Sequence, residues 1–163
     1  HPLHTRRYLQ EVICQNIQLG VNKSGRQRKD KELCGSVFVI PTDNPEEAAI
    51  HESEVRQQIS FYASTPPYRP VFELHGWDAV ADQLRALAAG GKWSEMPRLI
   101  TDEMMDVFAL RSRWEELPQK VLGKYSGLLD RVSYYFPFVP GQNDDGWRAT
   151  ISGFKSPVAT SNP

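Results

Sequence analysis

LCGSVFVIPTDNPEE, residues 33–47, settles the class of fold. Val37, Phe38, Val39 and Ile40 are consecutively apolar, without the alternation of a strand that keeps one wet face. Both faces are therefore expected to be covered, as in a parallel sheet under helices. Thr42, Asp43 and Asn44 then supply capping side chains, Pro45 suits the first helical position, and Glu46 and Glu47 put negative charge in the first turn, where the helix dipole favours it. A buried strand running directly into a capped helix is the repeat of an α/β fold.

Downstream, Val55, Ile59 and Tyr62 recur at helical spacing until Thr65-Pro66-Pro67 removes backbone donors and pushes Thr65 out of the α region. A second apolar set, Tyr68, Val71, Phe72 and Leu74, ends at His75-Gly76-Trp77, a packed excursion rather than a loose loop. Val80, Leu84 and Leu87 mark another helix, stopped by Gly90-Gly91. Residues 93–110 read as one or two short helices whose methionines are core. Residues 112–124 read as helical, with Ser112 and Glu115 at capping-box spacing, or as a helix starting near Leu117 with Pro118 in its first turn. Residues 128–138, LLDRVSYYFPF, are the second strand, stopped by Pro137. Trp147, Ile151 and Phe154 anchor a helix over 146–154, and 155–163 is expected to be a disordered tail.

Upstream, Thr5 caps a helix expected to reach Leu19 and to end at Gly20. The basic stretch at 22–31 reads as a solvated loop; a phosphate or nucleic-acid contact there would demand strong salt dependence. Cys14 and Cys34 lie in apolar stretches without metal spacing and are expected to be buried, reduced thiols.

With 163 residues, 40% hydrophobic and 24% charged content, the chain has the composition of one soluble domain. A net charge of -1 points neither to nucleic acid nor to an acidic membrane, and no apolar run reaches membrane-span length. Neither a Gly-rich phosphate fingerprint, a nucleophile elbow nor a zinc motif occurs.

The runs ISFYASTPPYRPVFELHGW, LRALAAGGKWSEMPRLITDEMMDVFAL and KYSGLLDRVSYYFPF, with HPLHTRRYLQEV and ELCGSVFVIPTD before them, occur in an order that resembles the C-terminal half of luciferase-like monooxygenases, specifically those using the deazaflavin coenzyme F-420. The resemblance covers most of residues 1–138. It implies a (β/α)8 barrel, α/β in class, in which 33–40 and 131–136 are the last two strands, 1–154 is the C-terminal portion and the helical excursion is inserted. Two strands cannot close a barrel that typically needs about 250 residues. The implied chemistry is hydride transfer between F-420, or alternatively FMN, and a small organic substrate, in the cytoplasm, with this chain incomplete alone and paired with an N-terminal half or another copy.

Because barrel sites lie at the carboxyl ends of strands, the resemblance assigns coenzyme contact to His1, His4, Thr5, Thr42, Tyr135 and Phe136. His4 titrates near neutrality and suits ligand hydrogen bonding or acid-base work, with a plain surface histidine near the terminus as the leading reading. Tyr134 and Tyr135 point to opposite faces, which places one of them to line a pocket, with core packing the leading reading for either. His75 reads as structural and His51 as solvent-facing. One departure stands out: relatives tend to carry Val-Gly-Thr-Pro where this chain has Arg111, Ser112, Arg113 and Trp114. The alternative from another class is a non-catalytic interaction module whose sheet edges another chain covers.

Overall fold

The computed structural model describes residues 3–155. Its centre is a parallel three-stranded sheet, β1 (Cys34–Pro41), β2 (Ala109–Ser112) and β3 (Arg131–Tyr134), in the order β2-β1-β3. The two strands expected from sequence are parallel neighbours, with Cys34 opposite Arg131 and Val37 opposite Tyr134. β2 pairs with the other half of β1, Phe38 opposite Ala109 through Pro41 opposite Ser112.

Eight α-helices among the described residues accompany the sheet: α1 (Arg6–Tyr8), α2 (Cys14–Lys23), α3 (Pro45–Ala63), α4 (Arg69–Leu74), α5 (Asp78–Ala89), α6 (Asp102–Phe108), α7 (Leu117–Tyr125) and α8 (Asp144–Lys155). Asn44 caps α3 as its side chain implies, accepting from the backbone N–H groups of Glu46 and Glu47. Thr5 likewise accepts from Tyr8 N–H at the start of α1.

The apolar run of β1 divides between two cores, as its lack of alternation implies. Phe38 and Ile40 pack with Leu3, Ile59, Phe72, Leu84, Met105 and Phe108, beneath α3 to α6. Val37 and Val39 pack on the opposite side with Leu9, Leu110, Trp114, Leu117, Val121 and Tyr125, beneath α7. All four β1 side chains are at most 1% exposed, and each contributes about 1.5–3 kcal/mol by leaving water.

Several local expectations are corrected. The helical run beginning at Arg6 passes through Gly20 to Lys23, because Gly20 has open space around it and the left-handed glycine is Gly25, φ 66°. Residues 109–112 form β2, not helix, and Ser112 donates to Glu116 instead of forming a capping box. Of the two readings of residues 112–124 the later start holds: α7 starts at Leu117 with Pro118 in its first turn, where a missing N–H costs nothing. The strand over 128–138 narrows to β3, since only four of its residues find a partner on β1. Cys34 is exposed and Cys14 half-buried, because β1 begins before its helical cover does. The helix expected over 146–154 gains a residue or two at each end. Lys155 closes it, and the rest of the tail, 156–163, lies outside the described residues.

Candidate functional site

Because the three strands are parallel, they run toward one end of the sheet, where β1 and β2 finish side by side at Pro41 and Ser112, while β3 stops opposite Val37 at Tyr134 and the chain beyond it carries Phe136 on toward that end. The chain beyond each of them walls a cleft of about 630 Å³, with Asp43 and Asn44 after β1, Trp114 and Glu115 after β2, and Phe136 after β3. The starts of α3 and α8 complete it, through Glu47 and through Asp144 to Gly146. This is where ligands bind in parallel α/β sheets, since loops converge there.

Packing builds one wall from rings. Phe136 meets Trp114 edge-on at 5.4 Å and His51 at 4.6 Å, and Trp147 lies 5.0 Å from Trp114. Two hydrogen bonds hold the Trp114 backbone: its amide N–H donates to Asp43 Oδ2 at 2.9 Å, and Thr150 Oγ1 donates to its carbonyl at 2.9 Å. Gly146 permits the close approach of α8, since a Cβ there would stand 2.6 Å from the indole. The carboxylates Asp43, Glu47, Glu115, Asp144 and Asp145 also line the cleft, without a lysine or arginine among the described residues there. No group of three or more His, Cys, Asp or Glu among the described residues can hold a metal ion.

A second depression of about 850 Å³ lies against the same segment, between α3 and residues 134–137. Phe136 borders both spaces. Here Tyr62 and Tyr135 share a hydroxyl hydrogen bond of 2.9 Å, and Tyr135 stands edge-on to Phe38 at 5.2 Å.

The described residues singled out by sequence are therefore distributed over four places. Phe136 lies in the strand-end cleft and Tyr135 in the adjoining groove. Thr42 is exposed at the end of β1, its N–H donating to Ser112 O at 3.0 Å. His4 and Thr5 are interior: His4 Nε2 donates to Ser36 O at 2.9 Å, and Thr5 Oγ1 bonds His75 Nε2 at 2.9 Å. His1 lies outside the described residues. Tyr134 and Tyr135 do take opposite faces, Tyr134 against Trp147 and Phe154. His75 is structural, stacked on Trp77 at 4.6 Å. His51 is not solvent-facing; it is half-buried, between Phe136 and Glu54. Sequence reasoning missed Trp114 and His51 as site residues. The one available signal for Trp114 was its place in the divergent stretch 111–114.

His4 is pushed down to a pKa of about 4 by burial, against the raising effect of the Ser36 carbonyl and with a smaller lowering by the Lys124 charge. Lys124 itself is lowered to about 8 by burial, with its ammonium donating to Val107 O at 2.7 Å. Tyr62 is raised to about 12, chiefly by its bond with Tyr135.

Among known proteins, the luciferase-like monooxygenase family profile matches residues 2–131. An uncharacterized protein of Mycobacterium bovis and two of Mycobacterium tuberculosis are each 36% identical over 132 residues, covering 81% of this chain and 39% of the relative. The chain thus spans about two-fifths of the length of the curated relatives it matches. No solved structure matches. With four-fifths of its length inside the family profile and its strands arranged as described, the chain belongs to the luciferase-like monooxygenase family.

Proposed function

We propose that the chain forms the C-terminal part of a (β/α)8 oxidoreductase that transfers hydride between the deazaflavin coenzyme F-420, or FMN, and a small organic substrate. The observation that carries this reading is the cleft at the carboxyl ends of three parallel strands, walled by Trp114, Phe136 and His51. An apolar ring wall suits a planar coenzyme whose own chemistry supplies the hydride step, while the protein orients it.

The fit is partial. A coenzyme phosphate needs cations or free backbone N–H groups, and the charged side chains lining the cleft are carboxylates, two of them, Asp144 and Asp145, at the start of α8. Asn44 already occupies the N–H groups that open α3. The phosphate would then be held by segments outside this chain, so the chain alone is an incomplete site. The short β2 agrees with this reading, because it covers only the Phe38–Pro41 half of one β1 edge.

Titrating F-420 fluorescence with the isolated chain tests the proposal. No saturation is expected in the micromolar range. Saturation should appear when the chain is joined to the remaining portion of a mycobacterial relative. Micromolar binding by the chain alone overturns the incompleteness, and absence of binding by the joined protein overturns the coenzyme assignment.

A further inference from the structure

We propose that the strand-end cleft takes a small amine as its substrate, the ammonium group donating a hydrogen bond to His51 Nε2, with Glu54 as the positioning residue. The inference rests on the reading of the cleft as the substrate site and names the class of molecule that enters it.

The local sequence sets the imidazole. His51 and Glu54 stand three residues apart on α3, so they share a face, and His51 Nδ1 lies 3.1 Å from Glu54 Oε2. A carboxylate only accepts, so Nδ1 carries the hydrogen and Nε2 is left as the bare acceptor. Phe136 steadies the ring edge-on at 4.6 Å. The His51 side chain is 19% exposed, and Nε2, without a partner among the described residues, is not one of the atoms sealed from solvent. Its accessible edge opens on the cleft and on the adjoining space of about 390 Å³, which share His51, Phe136, Glu47 and Asn143 as lining.

Charge decides which donor fits that acceptor. Of the cleft's carboxylates, Asp43 and Glu115 face Arg113, and Asp145 pairs with Arg148. Glu47 and Asp144 have no cationic partner among the described residues; Asn44 Nδ2 donates to the first and the Gly141 N–H to the second. Each stands in the first turn of a helix, α3 or α8, whose dipole offsets roughly half a charge, so about one negative charge is left over. That charge repels an anion, gives nothing to a neutral alcohol and complements one ammonium. Glu47 lies one turn before His51 on the same face of α3, and Phe136 offers the amine's carbon skeleton an apolar surface.

Four benzyl probes separate these features on the 163-residue chain: benzylamine, benzyltrimethylammonium, benzyl alcohol and benzoate. NMR titration should give benzylamine the tightest binding, saturating below about 10 mM. Benzyltrimethylammonium has charge without an N–H, and benzyl alcohol a donor without charge. Each should bind about three- to five-fold more weakly, the loss of one hydrogen bond or of one exposed ion pair, and benzoate should not saturate. His51→Phe keeps a ring against Phe136 and removes the acceptor. It should equalise benzylamine and benzyltrimethylammonium while leaving the affinity of the latter unchanged, a pattern that unfolding does not produce. Glu47→Gln should bring benzylamine down toward benzyl alcohol. Nitrogen-15 shifts of the His51 ring should report the Nδ1–H tautomer and move toward Nε2–H in Glu54→Ala, a signature that a packing role does not give. Equal binding of benzylamine and benzyltrimethylammonium, tightest binding of the alcohol or of benzoate, a preference that survives His51→Phe, an Nε2–H tautomer in the parent, or no saturation by benzylamine overturns the proposal. F-420 is titrated separately on the joined protein. Coenzyme binding without an amine preference therefore sinks only this inference, and amine binding without coenzyme binding sinks only the coenzyme assignment.

Discussion

His4 occupies a gap in the sheet that no described strand fills. Even-numbered residues of β1 turn their backbone groups toward β2, as the bond from Thr42 N–H to Ser112 O shows, but β2 reaches only from Phe38 onward. The Ser36 carbonyl is left over on that edge, and His4 Nε2 donates to it. The ring also needs Gly35, where a Cβ would sit 3.2 Å from Nε2 and 2.8 Å from Leu129. With Nε2–H donating, Nδ1 is a bare acceptor with no partner, and burial holds the ring neutral with a pKa near 4. The unfolded chain takes up a proton below about 6.5 that the folded chain refuses until about 4. Stability from this residue is therefore complete above the unfolded value and is lost as pH falls toward the folded one. His75, also lowered by burial, adds in the same direction. His4→Gln keeps a donor for Ser36 and removes the titration. Urea melts between pH 7 and 4 should lose about 3 kcal/mol less in the variant than in the parent. Equal pH slopes would show that His4 is not buried neutral.

Among the elements, α8 depends on two glycines seven residues apart on one face. A Cβ at Gly146 would stand 2.6 Å from the Trp114 ring, and one at Gly153 would stand 2.6 Å from Pro118 Cγ. Both neighbours are rigid, so neither contact relaxes by rotating a flexible side chain. Alanine favours a helix interior over glycine by about 1 kcal/mol, yet overpacking costs about 1–3 kcal/mol. Gly146→Ala and Gly153→Ala should each destabilise in chemical denaturation, and Gly146→Ala should also red-shift tryptophan emission as α8 lifts from Trp114. A gain in stability would mean that α8 does not dock there. The same contacts explain what could be read from the chain and what could not. β1 and α3 announce themselves locally, through four consecutive apolar residues and an Asn-Pro-Glu-Glu start. β2 does not: Ala109 to Ser112 is four residues long, contains an arginine, and is a strand only because the edge of β1 is available. Phe136 could be placed at the site by counting to the end of a strand. Trp114 and His51 arrive there through β2 and the middle of α3, whose positions depend on tertiary packing that no local pattern encodes.

At the scale of the whole molecule, the sheet is covered on both faces but open along β3. Arg131 N–H and Tyr135 N–H donate to Leu33 O and Val37 O, so odd-numbered residues of β3 serve β1 and the even-numbered Val132 and Tyr134 turn outward. Within the order β2-β1-β3, no described strand receives them. An uncovered edge of a parallel sheet is a template for another chain, whether the rest of a barrel or a second copy. No helix among the described residues is long and apolar enough to cross a membrane. Val132→Pro separates edge pairing from folding, because proline removes a donor that points away from β1 and is tolerated on an edge strand. Sedimentation velocity on the parent should show association that grows with concentration. The variant should remain monomeric with a denaturation midpoint within about 1 kcal/mol of the parent. An equally monomeric parent removes the case for edge pairing. A variant that associates as before moves the contact elsewhere, and one that unfolds shows the Val132 N–H to be engaged within the chain.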